Sequence, residues 1–543
     1  MIKVLIAEPL AEAAIAQFKA VKGWDIVVSN PKDYEPHLAD CDALVVRSAV
    51  KVNKAVLDKA PKLRVIGRAG VGVDNVDMNA ATAAGVLVMN TPGGNAVSVA
   101  EHTLGFMLSL ARMIPEASAS TKSGKWEKKK FLGNELRGKT LGVVGLGNIG
   151  REVVQRAKAF EMTIIGSDPF VSSQLAADMG VELVDLEALL SRSDYISLHV
   201  GVTPETKGMI NTASIAKMKD GVRIVNCARG ELIDQAALIA GLESGKVAGA
   251  GLDVFDPEPP KEGDPILSAP NLLASPHIGG STEEAQEIVG IRIAKQMVDY
   301  LTQGIAVAAV NMPAMSPEQF KAVGPWLDVA ERLGTFASYV ANGNPRAVRL
   351  TYRGKIAEMN TQLIRNAAIA GMLGRSLPTK PNIVNAMPIA SQRGLNVEER
   401  HEKRIVYIDS IRVELETDAG TTTVEGSLVL DKVRLLHVDG IPCEAALSGH
   451  LLYLKNTDVP GVIGHIGNVL GKNSINIANF SLGRQEVGVP GLDPLGAVAI
   501  IETDAVVSPA VLDALKEPVT SHQSPVNQSP WKNLLPINDL SNG

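Results

Sequence analysis

Three polar residues are of the types that could oxidise a carbon bearing a hydroxyl next to a carboxylate. Arg229 lies in Asn226-Cys227-Ala228-Arg229-Gly230, Glu258 in Asp256-Pro257-Glu258-Pro259-Pro260, and His277 in Ser275-Pro276-His277-Ile278-Gly279-Gly280. Hydride transfer from a 2-hydroxy acid needs a cation to hold the carboxylate, a base for the hydroxyl proton, and a group to tune that base. A guanidinium can clamp a carboxylate with two parallel bonds, as an ammonium cannot. An imidazole with an ordinary pKa of about 6.5 suits a proton relay near neutral pH, and a neighbouring carboxylate would favour its charged form. Each residue alone also has a plainer reading. Arg229 could be a surface ion pair, His277 a structural ring among nine histidines, and Glu258 a solvated loop acid.

A cofactor loop sits upstream of all three. Leu141-Gly142-Val143-Val144-Gly145-Leu146-Gly147-Asn148-Ile149-Gly150 reads as a strand running into G-x-G-x-x-G and a helix. Gly145 would make the tight turn, Gly147 would let backbone N–H groups reach a pyrophosphate, and Gly150 would let helix and strand pack closely. The helix N-terminus adds partial positive charge for the same phosphates. An ordinary glycine-rich turn is the competing reading. Against it stands Asp168, which ends the next strand (Thr163–Ser167) a little over 20 residues on, where a carboxylate accepts ribose hydroxyls. No arginine follows it; Pro169 and Phe170 do, so the expected cofactor is NAD rather than NADP.

The elements that must hold these groups follow from the rest of the chain. Its 543 residues allow about three or four domains at roughly 100–200 residues each. A hydrophobic content of 45% with 21% charged residues fits globular cores, and a net charge of −6 offers no footprint for nucleic acid or an anionic membrane. Three cysteines without a C-x-x-C indicate neither a zinc site nor a disulfide frame. No leader precedes Met1-Ile2-Lys3-Val4-Leu5, and no apolar stretch approaches the roughly 20 residues of a membrane span, so a cytoplasmic protein is expected. Short apolar runs alternating with helical patterns over residues 1–310 predict α/β architecture with doubly wound parallel sheets. Two long helices, Ser98–Leu110 and Thr282–Leu301, should cross between a nucleotide domain (98–281) and a discontinuous substrate domain (1–97 and 282–313). An α+β domain is expected over 314–448 and a small strand–helix domain over 449–518. The Ser-, Pro- and Asn-rich residues 519–543 read as a tail without structure.

Taken together, the glycine loop and the motifs around Arg229, Glu258 and His277 resemble the D-isomer-specific 2-hydroxyacid dehydrogenase family, and match its catalytic Arg, Glu and His. Val46-Arg47-Ser48-Ala49, Gly67-Arg68-Ala69-Gly70-Val71-Gly72-Val73-Asp74-Asn75, Met89-Asn90-Thr91-Pro92-Gly93-Gly94-Asn95 and Gly124-Lys125-Trp126-Glu127 resemble the branch that oxidises 3-phosphoglycerate at the start of serine synthesis. The resemblance implies a Rossmann nucleotide domain and a flavodoxin-like substrate domain. It also implies further NAD contacts at Val71, Asn148, Ile149, Val200, Cys227, Ala228, Arg229, Asp253, His277, Ile278, Gly279 and Gly280. A phosphate on the substrate needs cations beyond Arg229, and Arg47 and Arg68 are the candidates, with Ser48 and Gly70 beside them. Buried ion pairing is the alternative for both arginines.

Residues 314–448 resemble the intervening domain of the long members of that branch, through Asn385-Ala386 and the exit Gly449-His450-Leu451-Leu452. Residues 449–518 are similar to an ACT-type, ferredoxin-like β-α-β-β-α-β module, through Asn456-Thr457-Asp458-Val459-Pro460-Gly461-Val462 and Ile475-Asn476-Ile477-Ala478. That likeness implies effector contacts at Asp458 and Asn476, L-serine as the effector, and a homotetramer. Two departures count against regulation: the Gly/Pro-rich loop Val487–Leu495, and a final strand that is expected to be missing after Val511–Lys516. The competing functions are oxidation of another D-2-hydroxy acid, such as glycerate or 2-hydroxyglutarate, and an NAD-sensing interaction protein of the corepressor kind.

Overall fold

A computed structural model describes residues 1–375, 377, 380–403, 407–485, 496–517 and 531–537. The first sheet is wholly parallel and runs Asp25–Val28, Lys3–Ile6, Ala43–Val46, Val65–Arg68, Leu87–Met89 in space, the 2-1-3-4-5 order of a flavodoxin-like domain. Its interior strands are apolar on both faces because helices cover both sides. Asp25–Val28 was not expected from the sequence. It is a half-exposed edge strand, and DIVV carries no clear alternation.

The second sheet is also parallel and has seven strands. Thr140–Val144 and Tyr195–Leu198 lie side by side at its centre, and the sheet grows outward from them in opposite directions. That reversal of strand order is the Rossmann switch point, where a crevice opens beyond the carboxyl ends of the strands. Gly145, His199 and Val200 follow those two strands directly.

Ala96–Arg112 and Glu283–Gln303 are the two crossings. The second is capped by Thr282, whose hydroxyl accepts from the Ala285 N–H at 3.2 Å, and ends on Gly304 in the left-handed region. It packs on the first sheet so closely that a Cβ on Gly67 would overlap Met297.

Beyond residue 313 the architecture changes. Pro317–Val340 begins with a Ser316/Gln319 capping box and crosses Gln362–Gly374 at small residues; a Cβ on Gly334 would strike the Ala368 carbonyl. Both helices lie on a six-stranded mixed sheet built from Pro345–Arg353, Asn396–Glu402 and the meander Ser410–Ala446. The C-terminal sheet has the order Ile477–Arg484, Gly496–Thr503, His450–Thr457, Trp531–Ile537 and is antiparallel throughout. With Val462–Lys472 and Pro509–Leu515 it completes a β-α-β-β-α-β fold.

Trp531–Ile537 corrects the expectation of a missing last strand and of a tail unstructured throughout 519–543. It pairs antiparallel with Leu451–Asn456, placing Leu454 opposite Leu534 and Leu451 opposite Ile537. Leu534 and Ile537 are buried, and Pro536 is tolerated because this is an edge strand. The loop Val487–Leu495 and the other residues of the expected tail lie outside the described residues. Among the described residues no helix is long and apolar enough to cross a membrane.

Candidate active site

The site is assembled from loop ends that only the tertiary fold brings together. Arg229 follows the strand Val222–Asn226, and the turn is fixed by the buried Asn226. Its side-chain amide donates to the Arg229 carbonyl at 2.8 Å, and its oxygen accepts from the Ala228 N–H at 3.0 Å. The Arg229 guanidinium reaches across to the first domain and donates from Nη2 to Asp74 Oδ2 at 2.8 Å and from Nε to Oδ1 at 3.4 Å. Asp74 stood within a quoted motif but was not singled out. Burial pushes its carboxyl up, but the Arg229 charge and hydrogen bonds outweigh this and hold it below the usual carboxylate range.

His277 and Glu258, 19 residues apart, meet at 2.5 Å through Nδ1 and Oε1. His277 has φ +53°, a left-handed conformation that costs a non-glycine residue about 1–3 kcal/mol. Asp253 supports it. This carboxylate is 1% exposed and accepts from the Ser275 hydroxyl at 2.5 Å, the Ile278 N–H at 2.8 Å and the Gly279 N–H at 2.7 Å. The Asp253 carbonyl accepts from the His277 N–H at 2.9 Å. Burial pushes the Asp253 carboxyl up, and His102, Ser275 and the two backbone donors pull it below its ordinary value. Asp253 therefore anchors the loop that presents the imidazole, and both its oxygens are engaged within the chain.

Opposite stands the loop Arg47–Val50. Its organiser is Glu8, a 5% exposed carboxylate that the sequence reading missed. Glu8 accepts from the backbone N–H groups of Arg47, Ala49 and Val50 at 2.8–3.1 Å. Asn75 ties the same loop by donating to the Arg47 and Val50 carbonyls. A cleft of about 540 Å³ between the domains is lined by Ser48 and Lys51 on this side and by Phe255, Glu258, Pro276 and His277 on the other. Lys51 was likewise not anticipated.

Arg68 extends the charge. Its Nε is buried with no hydrogen-bond partner among the described residues, and its other guanidinium atoms reach back over Gly70. Burial, and then the nearby Arg229, lower its pKa. A half-buried cation whose Nε is buried without a partner among the described residues calls for an anion.

The cofactor loop has the shape its residues promised. Gly145 has φ +92°, and a Cβ there would meet the His199 carbonyl at 2.7 Å and Val200 at 2.8 Å. Gly147 and Asn148 are exposed, with nothing within 4 Å of a Cβ on Gly147, so their amides face open space. A Cβ on Gly150 would strike the Gly145 carbonyl. Asp168 accepts from the Leu146 N–H and the Phe170 N–H, each at 2.8 Å, which fixes its carboxylate at the end of the loop. Ala228, Ile149 and Val71 are half-buried, while Cys227 is buried. Burial pushes the Cys227 thiol up to about 12, so it is no nucleophile. The open Gly147 cradle and the fixed Asp168 carboxylate suit a dinucleotide.

Comparison with known proteins agrees. A sequence profile described as D-isomer specific 2-hydroxyacid dehydrogenase, NAD binding domain, matches residues 104–279, and one described as D-3-phosphoglycerate dehydrogenase intervening domain matches 322–439. D-3-phosphoglycerate dehydrogenase of Methanocaldococcus jannaschii is 43% identical over 95% of this chain and 98% of its own. That of Archaeoglobus fulgidus is 43% identical over 89% of this chain and 92% of its own. The chain belongs to the D-isomer-specific 2-hydroxyacid dehydrogenases, in their D-3-phosphoglycerate dehydrogenase branch. A solved structure, the TT0316 protein of Thermus thermophilus, superposes with a TM-score of 0.52 at 33% identity, covering 57% of this chain and all of that one. The cofactor is NAD.

A second pocket, of about 240 Å³, lies in the C-terminal sheet domain at the start of the helix Val462–Lys472. Asp458 lines it and pairs with Arg484 at 2.7 Å. Asn456 also lines it, 2% exposed, with its Oδ1 unpartnered among the described residues. Asn476 is not among the lining residues; its backbone N–H donates to Asp504.

Proposed function

We propose that the interdomain cleft oxidises 3-phospho-D-glycerate to 3-phosphohydroxypyruvate, the entry to L-serine synthesis. The observation that carries this reading is the His277–Glu258 hydrogen bond at a cleft also lined by Ser48 and Lys51. With Nδ1 engaged by Glu258, the His277 Nε2 is the atom left to take the C2 hydroxyl proton. The Glu258 carboxylate then stabilises the imidazolium. Arg229 holds the substrate carboxylate and the charge that develops on the C2 oxygen. Arg47, Arg68, Ser48 and the Gly70 backbone receive the phosphate end. When bound, NAD supplies the hydride acceptor; Gly145, Gly147, Asn148, Ile149, Gly150 and Asp168 hold its phosphates and ribose. Val71, Val200, Cys227, Ala228, Asp253 and Ile278–Gly280 complete the pocket around it.

NADH formation measured with 3-phosphoglycerate and with unphosphorylated D-glycerate tests this reading. The phosphorylated acid should be preferred by orders of magnitude in kcat/KM. Equal rates would transfer the assignment to a general D-2-hydroxy acid dehydrogenase, and no NADH from either would favour an NAD-sensing protein.

The C-terminal domain supports a second reading, an ACT-type regulatory module with L-serine as effector. Its complete four-stranded sheet and the pocket holding Asp458 favour this, with Asn476 able to take part only from elsewhere. The same assay with added L-serine should show inhibition. A homotetramer fits the same picture: Trp126 and Leu132 stand 85% and 87% exposed, as uncovered interface residues would. Sedimentation analysis of the purified chain reads the assembly directly.

A further inference from the structure

Asp74 is the group whose position the mechanism leaves unused. A guanidinium has five N–H donors in a rigid plane. In Arg229, the Nε and Nη2 edge is turned to Asp74, with contacts of 3.4 and 2.8 Å. One Nη1 donor is spent on the Ala228 carbonyl at 2.6 Å. Among the described residues, one N–H on Nη1 and one on Nη2 remain without a partner. Two parallel donors on neighbouring nitrogens are what a carboxylate accepts bidentately.

We propose that Asp74 is a positioning residue that locks the side edge of Arg229 so that its Nη1–Nη2 end faces the substrate carboxylate. The inference rests on the reading of Arg229 as the carboxylate clamp. Three features of the cleft support it. Arg229 comes from the second domain and Asp74 from the first, 155 residues away, so the ion pair fixes the guanidinium at the seam between them. Gly72 leaves room for the pair: a Cβ there would overlap Arg229 Nη2 and lie 2.6 Å from Asp74 Oδ2. Arg68 stands close enough to Arg229, and more weakly to Arg47, to be repelled by both, and Asp74 is the acid that offsets it most strongly. A free Arg229 would turn its side edge, as well as its end, towards the incoming anion and would bind it in more than one orientation. Held by Asp74, it offers one.

The test is steady-state kinetics of the full chain with 3-phosphoglycerate and NAD varied separately. Asp74→Asn removes the charge and should raise KM for 3-phosphoglycerate at least tenfold while KM for NAD stays within twofold. Gly72→Ala should give the same split, because its Cβ would push Arg229 Nη2 and Asp74 Oδ2 aside while the backbone, outside the left-handed region, takes alanine without strain. It also serves as the deciding variant should Asp74→Asn fail to fold. In an Arg229→Lys background, which has no planar fork to orient, Asp74→Asn should add less than a twofold further change. An unchanged substrate KM in the single variants, an effect on NAD of equal size, or full additivity with Arg229→Lys would each overturn the proposal. Normal substrate KM in Arg229→Lys alone would instead overturn the reading of Arg229. Impaired Arg229→Lys together with normal Asp74→Asn would overturn only the role of Asp74.

Discussion

The interdomain cleft and the C-terminal pocket follow opposite electrical plans. The cleft gathers Arg47, Arg68 and Arg229 against Asp74 and the buried Glu8, and it leaves Arg68 Nε without a partner among the described residues. The pocket sets one carboxylate, Asp458, against one guanidinium, Arg484, and leaves an acceptor, Asn456 Oδ1, unpartnered among the described residues. A surplus of donors suits an acid carrying both a carboxylate and a phosphate. A balanced pair with a spare acceptor suits a small zwitterion whose ammonium needs an oxygen. The proposed chemistry and the proposed regulation thus fall in different regions, and each proposal can be attacked separately.

The strongest attack on the cleft is His277→Ala. Loss of a general base typically lowers the rate by about 10²–10⁴-fold. A kcat/KM within tenfold of the parent would remove the basis for treating the cleft as catalytic. Next in size is Asp253→Asn, which weakens the bonds that hold His277 in its left-handed conformation. Stability should fall by about 2–3 kcal/mol, since hydrogen bonds to a charged group are being weakened, and kcat should fall with it. Because folding depresses the Asp253 pKa below its ordinary 3.8, its stabilising contribution is complete above that value and is lost as pH falls through the lower folded value. Thermal melts from pH 5 downward should therefore fall more steeply for the parent than for Asp253→Asn.

The pocket is addressed by Leu534→Asp, which places a charge on the inner face of the last strand. It should abolish any L-serine response while basal turnover stays within twofold. A serine response that survives would separate regulation from that sheet. The smallest effect concerns His199, next to the cofactor loop, whose ring burial lowers to a pKa of about 4 from 6.5. Between those values the unfolded chain takes up a proton that the folded chain refuses, so stability declines as pH falls across this window. His199→Gln should flatten that decline in melts between pH 6.5 and 4; an unchanged slope would show the ring to be hydrated.

Where motif and local geometry coincide, the expected strand, turn and helix are present. Gly145–Gly150 and Asp168 lie within one βαβ unit, and the strand, turn and helix that give them meaning are neighbours in the chain. The two crossing helices were also readable, because Ala96–Arg112 and Glu283–Gln303 are long and the second carries a cap. Glu8 and Asp74 left no such trace. An acid after a short strand and an acid in a glycine-rich loop look like solvated residues until the fold places them beside Val50 and Arg229. Trp531–Ile537 failed for a related reason: Lys532, Asn533 and Pro536 mask an edge strand whose identity comes from its partner, Leu451–Asn456.

The sequence by itself determined the family and the NAD cofactor, and it offered Arg229, Glu258 and His277 as a candidate set, because those patterns fall on residue types at short spacings. Only the tertiary structure decided how the set is aimed. Asp253 holds the His277 loop, Asp74 holds Arg229, Glu8 holds the loop opposite, and Trp531–Ile537 closes the C-terminal sheet against Leu451–Asn456. Those are contacts between groups far apart in the chain, and their energy exists only after the domains have folded together.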